Sequence, residues 1–348
     1  MPKLVSYVVV PLKKAQSVKE FLIKNNLLDH DSAFKKNEES ISFPVLRAVD
    51  VVKRKFHFVK IEHGDLIVKS QRVKKGTLKE ALAKQLSSQE LMRLRRAYDV
   101  VGSIAILEVP PELEQKAHLL ASSILESHKN IKTVLCKAGA HAGEFRTQPM
   151  KFLAGVDTRE TMHVESGTRI KLNVEKVYYS VRLGTERLRI AQEVKPGESV
   201  LVMFSGCGPY PLVLAKKSKA VRIVGIEMNP LAHKYGLENV KINKVKNVKL
   251  LQGNVRKVVH ELQEKFDRIV MPLPKSAGDF LDSALLVANK GAVIHLYDFL
   301  KEGEFEEAHR KIRQVCKEHG VACKILRTVK CGQHAPRTFR VCVDFVVE

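Results

Sequence analysis

The sequence has no Cys-x-x-Cys pair, no internal repeat, no low-complexity segment and no long tail of basic residues. It also lacks any apolar run near the roughly 18 residues needed to cross a bilayer. Each absence excludes a class. The six cysteines (Cys136, Cys207, Cys316, Cys323, Cys331, Cys342) have no histidine partner at finger spacing. A zinc module is therefore excluded, and no metal is expected. Cys323, Cys331 and Cys342 fall in or beside strand-like text and read as buried free thiols. The opening Met-Pro-Lys-Leu-Val-Ser-Tyr-Val-Val-Val-Pro carries one lysine and a short β-branched run, so it reads as a first strand. A signal peptide would need a longer apolar segment and a small-residue cleavage site. The expectation is a soluble, cytoplasmic protein with no membrane association, acting as a monomer.

What is present is positive charge. Sixty lysines and arginines face 38 acidic residues, a net charge of +22 over 348 residues, with an isoelectric point near 9.7. Hydrophobic residues make up 45 % of the chain, enough for a sizeable core. The basic residues are spread over both ends, so the charge belongs to folded surfaces. A field of this sign favours a polyanion such as RNA or DNA.

The length suggests two or three domains. Residues 1–70 read as a small α+β unit, with a strand over Leu4–Val10, a helix over Ser17–Asn25 and strands near Ser42–Val45 and His57–Glu62. Lys69 to Lys79 resembles a linker. Residues 79–185 form a middle α+β segment: a basic helix to Arg96, a strand over Val100–Val109, a helix over 112–128 opened by Pro110-Pro111, and short strand-like bursts to 174. From 186 to 348 the rhythm changes. Apolar strand-length runs (Ser199–Phe204, Arg222–Glu227, Val248–Gln252, Arg268–Met271, Ala292–Tyr297) alternate with helix-length segments, as in a doubly wound, Rossmann-like α/β sheet. Cys323–Val329 and Phe339–Val347 read as a closing antiparallel pair.

The first of these strands runs into Phe204-Ser205-Gly206-Cys207-Gly208-Pro209-Tyr210. A Gly-x-Gly turn after a parallel strand lets the backbone approach a ligand at the carboxyl edge of the sheet. A dinucleotide fold prefers a third glycine two residues on, where this chain has Pro209 and Tyr210. A cofactor without phosphates fits better, and S-adenosylmethionine is the common one. Glu227, at the end of the second strand, can accept both hydrogen bonds of a ribose diol. Met228 follows, and Asn229-Pro230 opens the next helix as cap and first residue. Asn254 and Val255 stand at the third strand end, where a methyltransferase usually places an aspartate facing the adenine. Pro272 stands at the fourth, beginning the stiff turn Pro272-Leu273-Pro274-Lys275. By itself that turn reads as a strand-to-helix connection.

The pieces Gly143-Glu144-Phe145-Arg146, Leu153-Ala154-Gly155 and Lys176-Val177-Tyr178-Tyr179-Ser180-x-Arg182-Leu183-Gly184-x-Glu186-Arg187 resemble the archaeal and eukaryotic-type tRNA (guanine-37-N1)-methyltransferase family. The glycine loop, the Glu-x-Asn-Pro element, the Leu-Pro-Lys turn and the final Ala335-Pro336-Arg337-Thr338-Phe339…Asp344-Phe345 continue the likeness in order. It spans essentially the whole chain and is strongest from Gly143 onward. The resemblance implies a first domain that touches the outer corner of tRNA, and a middle and a cofactor domain that enclose a flipped-out base. It implies that Arg146 contacts the guanine, that Glu186 is the general base, and that Tyr178, Pro274 and Lys275 lie against the target.

The chemistry suits those types. Guanine N1 must lose its proton as the methyl arrives; a carboxylate can take it, and a guanidinium can stabilise charge on O6. Without the resemblance, Glu186 reads as half of a surface ion pair with Arg182 or Arg189, and Arg146 as a phosphate contact. Two residues depart from the family pattern: Pro272 replaces the usual asparagine of Asn-Leu-Pro, and Asn254 replaces the aspartate. The alternative is a wyosine-pathway enzyme that transfers an aminocarboxypropyl group, or a methyl group, to a tricyclic base at the same tRNA position. A non-catalytic tRNA-binding protein is disfavoured by the retained glycine loop, Glu227 and Glu186.

Overall fold

The structure is a computed structural model that describes residues 4–29, 32, 34–37, 39–46, 49–65, 86–87, 90, 98–273, 277–335 and 337–348. The chain divides into two compact units, Met1–Thr77 and Leu78–Glu348. Among the described residues no helix is long and apolar enough to cross a membrane.

In the smaller unit, β1 (Leu4–Pro11), β2 (Lys35–Lys36), β3 (Ser40–Val45) and β4 (Lys60–Asp65) form an antiparallel sheet ordered β2-β3-β1-β4. Alternate residues Val8 and Val10 of β1 point into the core. There they meet Val18 and Leu22, one turn apart on α1 (Ala15–Lys24), and Val52 of α2 (Val49–Lys55). The basic helix expected over 79–96 lies almost wholly outside the described residues.

The larger unit begins with β5 (Asp99–Val101) and β6 (Ile104–Leu107). The single strand expected over Val100–Val109 is thus a tight hairpin. Gly102 turns it at φ +58°, pressed so close to Thr161 and Met162 that a Cβ there would collide with them. After Pro111 the expected helix starts with a 3-10 stretch and becomes α3 (Ala117–Ser127). With β7 (Thr133–Lys137) and β8 (Met150–Gly155) the sheet is β5-β6-β7-β8, mixed because β6 and β7 run parallel. A hairpin of β9 (Glu160–Glu165) and β10 (Thr168–Asn173) follows, then α4 (Gly184–Glu193).

The main sheet holds β11 (Ser199–Met203), β12 (Arg222–Glu227), β13 (Val248–Gln252), β14 (Phe266–Met271), β15 (Ala288–Lys301), β16 (Cys323–Ala335) and β17 (Thr338–Val347). Its order is β13-β12-β11-β14-β15-β17-β16, with five parallel strands closed by an antiparallel pair. Helices α5 (Pro209–Lys217), α6 (Pro230–Asn243), α7 (Val255–Glu261), α8 (Leu281–Leu286) and α9 (Phe305–Glu318) connect the strands. The strand order reverses between β11 and β14, and this opens a crevice at the carboxyl edge.

The segments 79–185 and 186–348 share one core. Ile106, Leu135, Ile170 and Leu172 pack with Cys207, Leu212, Ala232 and Tyr235 in a single apolar cluster. The side chains of Asn239 and Asn243 on α6 bond to the backbone of β10 on both its donor and acceptor groups. An apolar seam stitched by such bonds behaves as a domain interior.

Candidate active site

The crevice is built largely by backbone. β11 ends at Phe204, whose φ of +56° is unusual for a residue with a Cβ. Gly206 (φ +57°) and Gly208 (φ +90°) carry the chain round to Pro209, the first residue of α5. Glu227 clamps this loop to the end of β12. One carboxylate oxygen accepts from the Gly206 N–H and the other from the Asn229 N–H, both at 2.7 Å. Burial pushes the Glu227 carboxyl above its ordinary value, against the pull of those backbone donors. The Asn229 side chain caps α6 through the N–H groups of Leu231 and Ala232, and its amide donates to the Lys176 carbonyl at 3.1 Å. Asn254 caps α7 by accepting from Arg256 at 2.9 Å, so one lone pair of its amide oxygen is already used.

These elements enclose a cavity of about 270 Å³. Phe204, Gly206, Glu227, Met228, Asn229, Asn254, Val255 and Pro272 all line it. Gly208 is not on the wall; it shapes the turn behind it. Sequence motifs did not reveal Phe280, which packs edge-on to Phe204 with ring centroids 4.9 Å apart. The donor set fits S-adenosylmethionine. Glu227, which already accepts from the backbone of Gly206, Met228 and Asn229, keeps acceptor capacity for a ribose hydroxyl, and Met228, Val255, Leu273 and Phe280 offer an apolar slot. Arg187, also on this wall, is already bound by Glu165 at 2.6 and 2.5 Å.

A second, larger groove of about 740 Å³ shares Arg146, Tyr178, Tyr179 and Ser180 with the cavity. Arg146 is presented by a tight loop. Gly143 turns at φ +70°, Ala142 bridges Thr147, and the Arg146 N–H bonds back to the Gly143 carbonyl at 3.1 Å. His141 donates from Nδ1 to the Arg146 carbonyl at 2.9 Å, and its ring meets Tyr178 at 5.4 Å. Burial holds the His141 imidazole and the Arg146 guanidinium below their ordinary values. Arg146 and Tyr178 therefore line the same cavity as Gly206, Glu227 and Asn254. Pro274 and Lys275 lie outside the described residues.

Glu186 is not part of either wall. It is 5 % exposed and paired with Arg189 at 2.8 and 2.6 Å, the ion pair that its bare sequence suggested, but buried rather than on the surface. The Tyr297 hydroxyl donates to it at 2.6 Å, and Tyr210, on the cavity wall, donates to Tyr297 at 3.0 Å. The physical reason is the tertiary pairing of Arg189 with Asp344 of β17, which draws the helix face carrying Glu186 toward the sheet.

Among the described residues one group, His295, Cys342 and Asp344, has metal-ligand types close together. Its atoms are already used. Arg268 can only donate to His295 Nε2 (2.8 Å), so His295 Nδ1 carries the proton that goes to Asp344 (2.6 Å).

A model described as the TRM5/TYW2 methyltransferase domain matches residues 161–326, and one described as the TYW2 N-terminal domain matches 78–158. The Pyrococcus abyssi tRNA (guanine(37)-N(1))-methyltransferase Trm5b is 37 % identical over 98 % of both chains. Its crystal structure superposes with a TM-score of 0.73, covering 99 % of each chain. A structure of aTrm5 with tRNALeu, 28 % identical, covers 98 % of this chain and 99 % of its own with a TM-score of 0.69. The Pyrococcus horikoshii tRNA(Phe) (4-demethylwyosine(37)-C(7)) aminocarboxypropyltransferase is 32 % identical, covering 78 % of this chain and 97 % of its own.

Proposed function

The chain belongs to the TRM5/TYW2 methyltransferase family, and from that premise we propose that it transfers the methyl group of S-adenosylmethionine to N1 of guanosine 37 in tRNA. The observation that carries this reading is the shared wall: Arg146 and Tyr178 face both a cofactor-type cavity and a groove large enough for a flipped nucleotide. Relatives support methyl rather than aminocarboxypropyl transfer. The aminocarboxypropyltransferase spends nearly its whole length on 78 % of this chain, whereas the Pyrococcus abyssi methyltransferase matches 98 %.

When bound, the cofactor supplies an electrophilic methyl group. Glu227 holds its ribose, and Asn254, Met228 and Val255 its adenine. Pro272, just after β14, stands beside the guanine, and Tyr178 orients it. The Arg146 guanidinium stabilises charge building on O6 as the N1 proton leaves. We assign that proton to Glu186, which reaches the cavity through the hydroxyls of Tyr210 and Tyr297. Held by Arg189, the Glu186 carboxylate can only accept, so Tyr297 points its proton to Glu186 and receives that of Tyr210. Burial pushes both phenols far above their ordinary range, so each passes a proton on without resting as a phenolate.

The test is mass analysis of an unmodified tRNA transcript bearing guanosine 37 after incubation with the protein and S-adenosylmethionine. One added methyl group, placed on N1, is expected. An enzyme that ignores guanosine and acts only on a preformed tricyclic base, or adds an aminocarboxypropyl group, would overturn the proposal.

A further inference from the structure

The larger unit neutralises the arginines it draws inside. Arg187 faces Glu165, Arg189 faces Glu186 and Asp344, and Arg268 faces Glu198. Arg340, half-buried on β17, differs: among the described residues no carboxylate lies within ion-pair distance of it. Its Nη2 donates to the Tyr178 hydroxyl at 3.2 Å, its guanidinium stands 5.2 Å from the Phe299 ring centroid, and its buried Nε has no acceptor. Nε and Nη2 form one edge of the guanidinium, the fork that matches two oxygens of a carboxylate or phosphate. That edge now holds one neutral hydroxyl and nothing else. A half-buried cation with an unfilled fork is costly unless an anion completes it.

Position says which anion. Arg340 lines the groove but not the cofactor cavity, whereas Arg146 and Tyr178 line both. A nucleotide that passes its base beyond Arg146 toward the cavity leaves its sugar and phosphates on the Arg340 side. Building on the tRNA reading above, we propose that Arg340 binds the backbone phosphate next to the flipped nucleotide. The same contact fixes Tyr178 against the base, because one guanidinium edge serves both.

The experiment measures tRNA binding and single-turnover methyl transfer for wild type, Arg340→Ala and Arg340→Lys. Cofactor affinity and melting temperature serve as controls that both variants are folded. Arg340→Ala should weaken tRNA binding roughly tenfold or more, as expected for one charge-assisted contact. It should also reduce the slope of log affinity against log salt by about one. Arg340→Lys keeps the charge without the fork, so it should recover the slope but only part of the affinity. An anticodon stem-loop with a neutral methylphosphonate on either side of nucleotide 37 locates the contact. One of the two should weaken wild type and leave Arg340→Ala no weaker than it already is. Wild-type affinity and slope in Arg340→Ala, or equal losses for both proteins with each methylphosphonate, would overturn the assignment. A role for Arg340 at the base edge would appear as slower transfer at saturating tRNA with an unchanged salt slope, and this also overturns it. Failure of wild type to bind or modify tRNA would instead strike the functional reading itself, so the two failures are distinguishable.

Discussion

Two arginine-containing clusters of the larger unit differ in how their hydrogen bonds are filled, one away from the cavity lining and one in the groove beside it. In the first, Glu186, Arg189, Asp344, His295 and Arg268 bond to one another until nearly every donor meets an acceptor. Arg327 and Glu193 extend that set, each bonded to another of its members. In the second, Arg340, Tyr178 and His141 gather beside Arg146 with no carboxylate taking up the Arg340 fork. A closed network pins β17 to α4 and specifies the fold; an open one is preorganised for a ligand with negative charge.

The largest expected effect breaks the closed side. Asp344→Ala leaves Arg189, Arg327 and His295 facing a missing carboxylate and should cost about 3–5 kcal/mol. Chemical denaturation followed by a probe in the larger unit measures this. The pH dependence has a definite sign. His295, Arg189 and Arg327 outweigh the effect of burial and hold the Asp344 carboxyl well below its ordinary value of 3.8. Its contribution is therefore complete above that value and is lost as pH falls through it toward the depressed folded-state value. Wild type should lose stability below about pH 4 more steeply than the variant. Equal acid sensitivity would show that the closed cluster is not what anchors β17.

A smaller effect tests how the two sides communicate. Glu186→Gln should slow single-turnover methyl transfer about 10²-fold while leaving tRNA and cofactor affinity in place. Tyr297→Phe should slow it comparably, since it cuts the hydroxyl chain between Glu186 and the cavity. A fast Tyr297→Phe enzyme with a slow Glu186→Gln one would mean that Glu186 leaves Arg189 and meets the base directly. Full activity in both would remove Glu186 from the chemistry and return it to the structural cluster.

The smallest effect sharpens the cofactor side. Glu227→Ala removes the proposed ribose acceptor and frees the Gly206 and Asn229 N–H groups. It should weaken S-adenosylmethionine by about 1.5–3 kcal/mol in calorimetry. Unchanged affinity would place the cofactor elsewhere.

The sequence by itself determined what is local. The strands of the doubly wound sheet, the glycine turn, Glu227 and the Asn229 cap are written within short stretches, because a strand, its turn and the next helix follow from the order of neighbouring residues. Arg146 was marked only by the family resemblance, and its presentation on a loop turned by Gly143 came from the structure. The tertiary structure alone decided the partners that lie far along the chain. Arg189 meets Asp344 across 155 residues and Glu186 meets Tyr297 across 111. Tyr178 meets Arg340 across 162. It also fused the two later segments, since the apolar faces of β6, β7 and β10 had no partner until α5 and α6 covered them. Whether a carboxylate is a base or a brace, and whether an arginine is neutralised or open, depends on which distant side chain the topology sets against it, and no local spacing encodes that.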